Sequence, residues 1–464
     1  MLLANLLSSS GIIVKQVPAI NISGLALHSS KVSPGCLFLS LLDAQQRPGK
    51  QEYIKQAIAN GAAAILVDAT VADCSGQDQL PIIPVVNLRN YVAPLASFWW
   101  QHPQRQLKLL GVTGTNGKTS CTNFLAQLLQ QLQRNCGLIG TLGNGMYGNL
   151  RSSAMTTPDT LSLYQNLADC VQQQAEYVAL EVSSHALAQD RIAGLAFAAA
   201  IFTNLTQDHL DYHGDMRSYA QAKQRLFTDY AVTKAIINLD DAYGRHLVQL
   251  LPSRDVIGYS VTDLGLQLKS YSHLGAQIPC VYAVGAKFSP WQITAKVVTP
   301  VGNGLLVAPL VGAINLSNLL AVLATLIALG YPLEAILAAI TKLQSVPGRM
   351  QLLGGGTRPW VLLDYAHTPD ALTQILPELQ TYCQGKLYCV FGCGGERDKL
   401  KRPLMGAIAE QYADQVVLTN DNPRHEEART IIGDILAGMR KPEQAIINLD
   451  RGQAIIDTIH GAKP

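Results

Sequence analysis

At 464 residues the chain is too long for one ordinary hydrophobic core, and at roughly 100 to 200 residues per domain it calls for several, with three expected. Hydrophobic residues make up 48% and charged residues 15%, a profile that excludes intrinsic disorder. With 35 basic against 33 acidic residues there is no general attraction for nucleic acid or an anionic membrane, so an anionic ligand must be held by a local site.

The opening MLLANLLSSSGIIV has no basic segment before its apolar run. The most apolar helical stretch, Leu319 to Gly330, is shorter than the ~20 residues of a membrane span. The expectation is a cytoplasmic protein with no membrane or nucleic-acid partner. Nine cysteines, an odd number without paired metal-like spacing, point to reduced structural thiols.

In chain order, Cys36 to Leu41 reads as a strand, Tyr53 to Gly61 as an amphipathic helix and Ala63 to Val67 as the next strand, with Gln101-His102-Pro103 closing the unit. A strand at Leu107 to Leu110 leads into a glycine loop and a helix. Further strands are expected at Tyr177 to Val182, Ala199 to Phe202 and Lys234 to Asn238. That alternation implies a mostly parallel sheet covered by helices. After Val346-Pro347-Gly348 the rhythm restarts, with strands at Trp360 to Leu363, Lys386 to Phe391, Gln415 to Thr419 and Ala445 to Asn448. The expected class is α/β with three domains: a small N-terminal α/β domain (1–105), a central P-loop ATPase domain on a mostly parallel sheet (106–347), and a Rossmann-like α/β domain (348–464).

The glycine loop is GVTGTNGKTS, residues 111 to 120. A strict phosphate loop has glycine where this chain has Val112. The physics of anion binding is nonetheless present. Gly114 and Gly117 permit a nest of N–H donors through Thr115 and Asn116, and a helix beginning at Lys118 aims its positive end at the anion. Lys118 would reach terminal phosphates and Thr119 would ligate Mg²⁺. The bland alternative is a glycine turn with a solvated lysine; it is disfavoured because glycine, lysine and hydroxyl fall together after an expected strand.

TGTNGKT, residues 113 to 119, resembles the ATP loop of the Mur ligase family, which includes the folylpolyglutamate synthetases. The resemblance extends over nearly the whole chain and implies an ATP-dependent carboxylate–amine ligase. Glu181, at the carboxyl end of an expected strand, and His209, in Thr206-Gln207-Asp208-His209-Leu210-Asp211-Tyr212-His213-Gly214, suit a Mg²⁺ that contacts ATP. Alone, His209 would read as structural and Lys223 as a solvated helical lysine. The resemblance makes Lys223 a carbamylated, anionic Mg²⁺ ligand, and casts Lys118, Lys223 and His209 as the catalytic set.

The resemblance assigns Asn315, Arg349 and Asp364 to ATP. It assigns Thr156, Thr157, Ser183, Gln189 and Arg191 to UDP-N-acetylmuramoyl-L-alanyl-D-glutamate. Ser30 would make the uridine contact, although the aspartate usual before it is here Ser29. Hydroxyls and an arginine fork suit a carboxylated substrate, while such Ser/Thr runs are often only turns.

Asp421-Asn422-Pro423-Arg424 resembles the family's selectivity motif for meso-2,6-diaminopimelate, with Arg397 a second cationic contact. That substrate differs from lysine by a second carboxylate, which Arg424 can hold with two parallel hydrogen bonds. As bland chemistry the tetrapeptide is a turn.

The implied reaction forms an acyl phosphate on the D-glutamate carboxylate, then an amide with diaminopimelate, in peptidoglycan precursor synthesis, by a monomer. A lysine-adding or folylpolyglutamate-type ligase, or a non-enzymatic nucleotide-binding module, are the alternatives. Similar ligases continue into another strand and a Gly-Lys-Gly-His-Glu loop whose glutamate contacts the diaminopimelate amino group. This sequence stops at Gly461-Ala462-Lys463-Pro464, so weak ligation without that segment is expected.

Overall fold

A computed structural model describes residues 1–41, 50–69, 80–252, 255–262 and 278–463. The chain is mixed α/β, as expected from its alternating pattern, and divides into two compact units. The first comprises residues 1–109 and 134–197, the second residues 110–133 and 198–464.

In the first unit, strands Gly24–Ala26, Cys36–Ser40, Ala64–Asp68 and Ile82–Val85 pair side by side in sequence order, all parallel. Every residue of Cys36–Ser40 is buried, which explains why the segment is continuously apolar rather than alternating. Phe38, Ile65 and Val67 pack with Ala57 of the helix Lys50–Ala59 in one core. Farther along, Cys136–Gly140 and Tyr177–Glu181 form a fully buried parallel pair. Helix Thr160–Gln172 begins where the Asp159 carboxylate accepts from the Ser162 N–H at 3.0 Å, satisfying an N–H that the helix itself cannot.

In the second unit, strands Ala196–Phe202, Ala235–Asn238, Val256–Ser260 and Cys280–Ser289 run parallel in that order. Cys280–Ser289, Gln292–Thr299 and Gly302–Ala308 then fold back as an antiparallel meander that the sequence reading did not anticipate. Gln292–Thr299 alternates inward and outward, and its Ile293, Ala295 and Val297 are buried.

Beyond residue 348 lie a parallel three-stranded sheet and an antiparallel hairpin. The sheet comprises Tyr388–Phe391, Gln415–Leu418 and Ile446–Ile447, and its core includes Leu372, Phe391, Met405 and Ile435. The expected strand at 360–363 belongs instead to the hairpin Gln351–Gly355/Arg358–Leu363. The apolar helix Ala313–Ala328 is 16 residues long, and no described helix is long and apolar enough to cross a membrane.

Candidate active site

The strand Lys108–Thr113 delivers the chain into the loop, and helix Lys118–Gln131 leaves it. Two glycines shape the turn. Gly114 has φ +144°, and a Cβ there would lie 1.9 Å from Thr203 Oγ1; Gly117 has φ +86°, and its Cβ would lie 2.5 Å from Asn318 Oδ1. Both positions therefore exclude any side chain. The loop is tied down from the segment after Phe202, at Asn204, which its sequence does not single out, and at Thr206, which opens the segment bearing His209: Asn116 N–H donates to Asn204 Oδ1 at 2.9 Å, and Thr206 N–H donates to Thr115 Oγ1 at 3.0 Å.

Two lysines converge on one carbonyl. Lys118 Nζ donates to Gly114 O and Thr115 O, both at 2.9 Å, and Lys223 Nζ donates to Gly114 O at 2.8 Å. Lys223 is 1% exposed and lies 4.4 Å above the centre of the Tyr219 ring. Burial, reinforced by the Lys118 charge, pushes its pKa well below the ordinary lysine value, toward the neutral amine.

His209 stands beside them in a left-handed backbone conformation, φ +53°, at the start of the turn Leu210–His213. Burial, with the Lys118 charge adding to it, pulls its pKa down to about 4, although Asp208 pulls the other way. Asp208 lies 3.4 Å from His209 Nε2 and 3.7 Å from His367 Nε2, and takes the His209 N–H at 2.9 Å. These contacts outweigh burial and hold its carboxyl below the usual carboxylate range.

A cavity beside the loop is lined by Asn116, Gly117, Thr119, Asn315, Arg349 and Asp364, among others. All six were expected at ATP from the sequence, and the fold brings them to one place. Arg349 donates to Thr119 Oγ1 at 3.1 Å and its guanidinium lies 4.2 Å from the centre of the Tyr365 ring. Asp364 accepts the N–H groups of Met350 and Ala366, both at 2.8 Å, so it shapes the turn that carries Arg349, and burial raises its pKa. Asn315 is 2% exposed and donates to Val311 O at 2.8 Å.

The first unit holds a second cluster. Glu181 is buried at the end of its strand, accepting from Thr141 N–H at 2.8 Å and Thr141 Oγ1 at 3.2 Å; Thr141 Oγ1 also meets Thr156 Oγ1 at 3.1 Å. Thr157 Oγ1 donates to Glu181 O at 2.7 Å and accepts from Ser183 N–H at 3.0 Å. Arg191 closes the group, donating to Gln189 Oε1 at 2.9 and 2.6 Å and to Thr157 O at 2.8 Å. Five of the six residues expected at the UDP substrate thus belong to one polar network. Ser30 lies apart on the exposed side of the short turn Ser29–Lys31, whose Ser29 is buried against Gln56 Oε1 at 2.7 Å.

Past the strand Gln415–Leu418, exposed Asp421, Asn422 and Arg424 share a loop that leans on the glycine loop 392–398 bearing exposed Arg397. Gly395 N–H donates to Asn422 O at 2.8 Å, and Arg424 Nη1 donates to Gly395 O at 2.5 Å.

Among the described residues no three His, Cys, Asp or Glu side chains converge as a metal cage. Mg²⁺ takes hard oxygen ligands and is held largely by substrate phosphates with one or two carboxylates. Thr119 and Glu181 are oxygen donors of the required kind, and Lys223 would become one only on carbamylation. None of the described cysteines forms a disulfide, and burial pushes Cys136, Cys170 and Cys389 up to about 12, which suits inert packing groups.

Residues 112–326 match the Mur ligase middle domain, and residues 348–464 match the Mur ligase glutamate ligase domain. The chain is 44% identical to a UDP-N-acetylmuramoyl-L-alanyl-D-glutamate–2,6-diaminopimelate ligase of Ectopseudomonas mendocina, covering 98% of this chain and 89% of that one. It is 45% identical to the Pseudomonas aeruginosa protein of the same name, covering 94% and 87%. A solved structure of a ligase so named superposes with a TM-score of 0.69 at 33% identity, covering 99% of this chain and 91% of that one.

Proposed function

The chain belongs to the Mur ligase family, and from that premise we propose that it joins 2,6-diaminopimelate, as the meso isomer, to UDP-N-acetylmuramoyl-L-alanyl-D-glutamate at the cost of ATP. The reading places it in cytoplasmic peptidoglycan precursor synthesis as a monomer. Residues 1–105 would bind the UDP group, 106–347 ATP, and 348–464 the amino acid. The observation that carries the reading is near-full-length similarity to ligases of that name in a chain whose glycine loop, two converging lysines and adjoining cavity stand together.

In this reading the D-glutamate carboxylate attacks the terminal phosphorus of ATP, and ADP leaves. The diaminopimelate amine, after losing a proton, attacks the acyl carbon and phosphate departs, so no covalent enzyme intermediate is needed. Lys118 exchanges its carbonyl contacts for phosphate oxygens, and the loop N–H groups stabilise charge on the transferring group. Arg349 and Asn315 orient the nucleotide. Thr156, Thr157, Ser183, Gln189 and Arg191 orient the dipeptide, with Ser30 at the uridine. Mg²⁺, held by Thr119, Glu181, His209 and carbamylated Lys223, would supply electrostatic stabilisation of phosphate charge. Arg424 and Arg397, with Asp421 and Asn422, receive the amino acid.

The test is phosphate release and product mass with ATP, Mg²⁺, the UDP-dipeptide and either diaminopimelate or lysine. Turnover with diaminopimelate and little with lysine is expected. Preference for lysine would assign a lysine-adding enzyme, preference for folate with glutamate the folylpolyglutamate type, and no turnover with any acceptor would overturn the catalytic reading.

A further inference from the structure

Helix Lys401–Tyr412 carries Arg402, whose side chain is fully buried. Its Nη1 donates to Glu426 Oε2 at 3.0 Å and Asp434 Oδ2 at 2.8 Å; its Nη2 donates to Glu426 Oε1 at 3.0 Å and Gly394 O at 3.3 Å. Glu426 Oε1 also takes the N–H of Glu396, and Lys399 lies 3.3 Å from Oε2. One guanidinium therefore grips the loop 392–398 at Gly394 and, through Glu426, at Glu396, and holds the end of the loop 421–426. The two loops approach so closely that a Cβ on Gly395 would lie 1.9 Å from Pro423 O.

This is a poor arrangement for stability alone. Burying a guanidinium carries a desolvation cost that an apolar side chain would not, and Arg402 Nε has no hydrogen-bond partner among the described residues. What the arrangement provides is geometry. Arg424 holds φ +52°, a conformation that side chains rarely adopt, so its direction depends on contacts that keep the loop in place. Two exposed cations, Arg397 and Arg424, sit on the two loops that Arg402 joins.

We propose that Arg402, acting through Glu426, is a positioning residue for amino-acid selectivity: it sets the spacing between Arg424 and Arg397 at which both meet one dicarboxylic diamino acid. The inference rests on the reading above that Arg424 receives the distal carboxylate. Arginine is required because only its planar fork pairs with both Glu426 oxygens while still reaching Asp434 and Gly394.

The test compares Arg402→Lys, Arg402→Met and Glu426→Gln in the full chain. It measures KM for diaminopimelate, ATP and the UDP-dipeptide, and the preference for diaminopimelate over lysine. KM for diaminopimelate should rise on the order of ten- to a hundredfold and the preference should fall, with KM for the other two substrates within about twofold of wild type. Glu426→Gln, nearly isosteric, carries the test by itself should Arg402→Met not fold. Wild-type preference for diaminopimelate that survives unchanged in active variants overturns the inference alone. A uniform loss of kcat with every KM unchanged assigns Arg402 to stability and also overturns it. A wild-type protein with no preference for diaminopimelate overturns both the inference and the reading beneath it.

Discussion

Gly114→Ala tests whether the loop geometry is what the site depends on. The new Cβ would stand 1.9 Å from Thr203 Oγ1, 3.0 Å from Asn204 N and 3.1 Å from Asn204 O, at a backbone φ of +144°. Thr203 Oγ1 must give way, and it is the hydroxyl that donates to Asn116 O and Thr113 O. Backbone strain of about 1 to 3 kcal/mol and a lost hydrogen bond of about 1 kcal/mol together predict a destabilisation of roughly 2 to 4 kcal/mol. The functional loss should be larger than stability alone implies, because Gly114 O anchors both Lys118 and Lys223. Urea denaturation followed by tryptophan fluorescence gives the first quantity, and ATP binding by calorimetry with phosphate release gives the second. Adding Thr203→Ala should recover part of the stability, since the nearest clashing atom is gone, but not all, since the Asn204 contacts and φ remain. Near-wild-type stability and turnover in Gly114→Ala would refute the steric reasoning.

Lys118→Ala should abolish ligation in a folded protein; near-normal turnover would remove Lys118 from the phosphate site. If Lys223 is carbamylated, peptide mass spectrometry under neutral conditions should find an acid-labile increment on that residue, and Lys223→Ala should be partly rescued by short carboxylic acids; an unmodified lysine in fully active enzyme excludes this. Arg424→Ala should weaken use of diaminopimelate by about 1.5 to 3 kcal/mol in kcat/KM while ATP binding is kept, and an unchanged preference over lysine would place recognition elsewhere. His209 has a folded-state pKa of about 4 against 6.5 for the free side chain, so the unfolded chain binds more protons between those values. Its contribution to stability is therefore complete above pH 6.5 and is lost as pH falls toward 4. His209→Asn should flatten that limb of the denaturation midpoint against pH, and an identical profile would show that another group controls it.

Sequence by itself determined the elements whose burial is uniform and the motif whose chemistry is local. Leu109, Leu110 and Val112, with no polar interruption after Lys108, announce a buried strand, and the glycines, Lys118 and Thr119 that follow carry their conformational and chemical meaning wherever they occur. The antiparallel meander at 280–308 was not legible in this way, because alternating patterns show that a strand has one buried face but not which neighbour it pairs with. Strand limits shifted for a related reason: the expected 386–391 begins at Tyr388, and the expected 445–448 shortens to Ile446–Ile447, since ladder partners decide where pairing stops. Tertiary structure alone brought Asn204 to the loop amide, Lys223 and Lys118 to one carbonyl, and Arg349 to Thr119 across 230 residues of sequence. It also turned Arg402, which reads as one more surface charge in Lys399-Leu400-Lys401-Arg402, into a fully buried brace between two loops. A charged side chain is placed inside only by partners distant in sequence, and Glu426 and Asp434 lie 24 and 32 residues away from it.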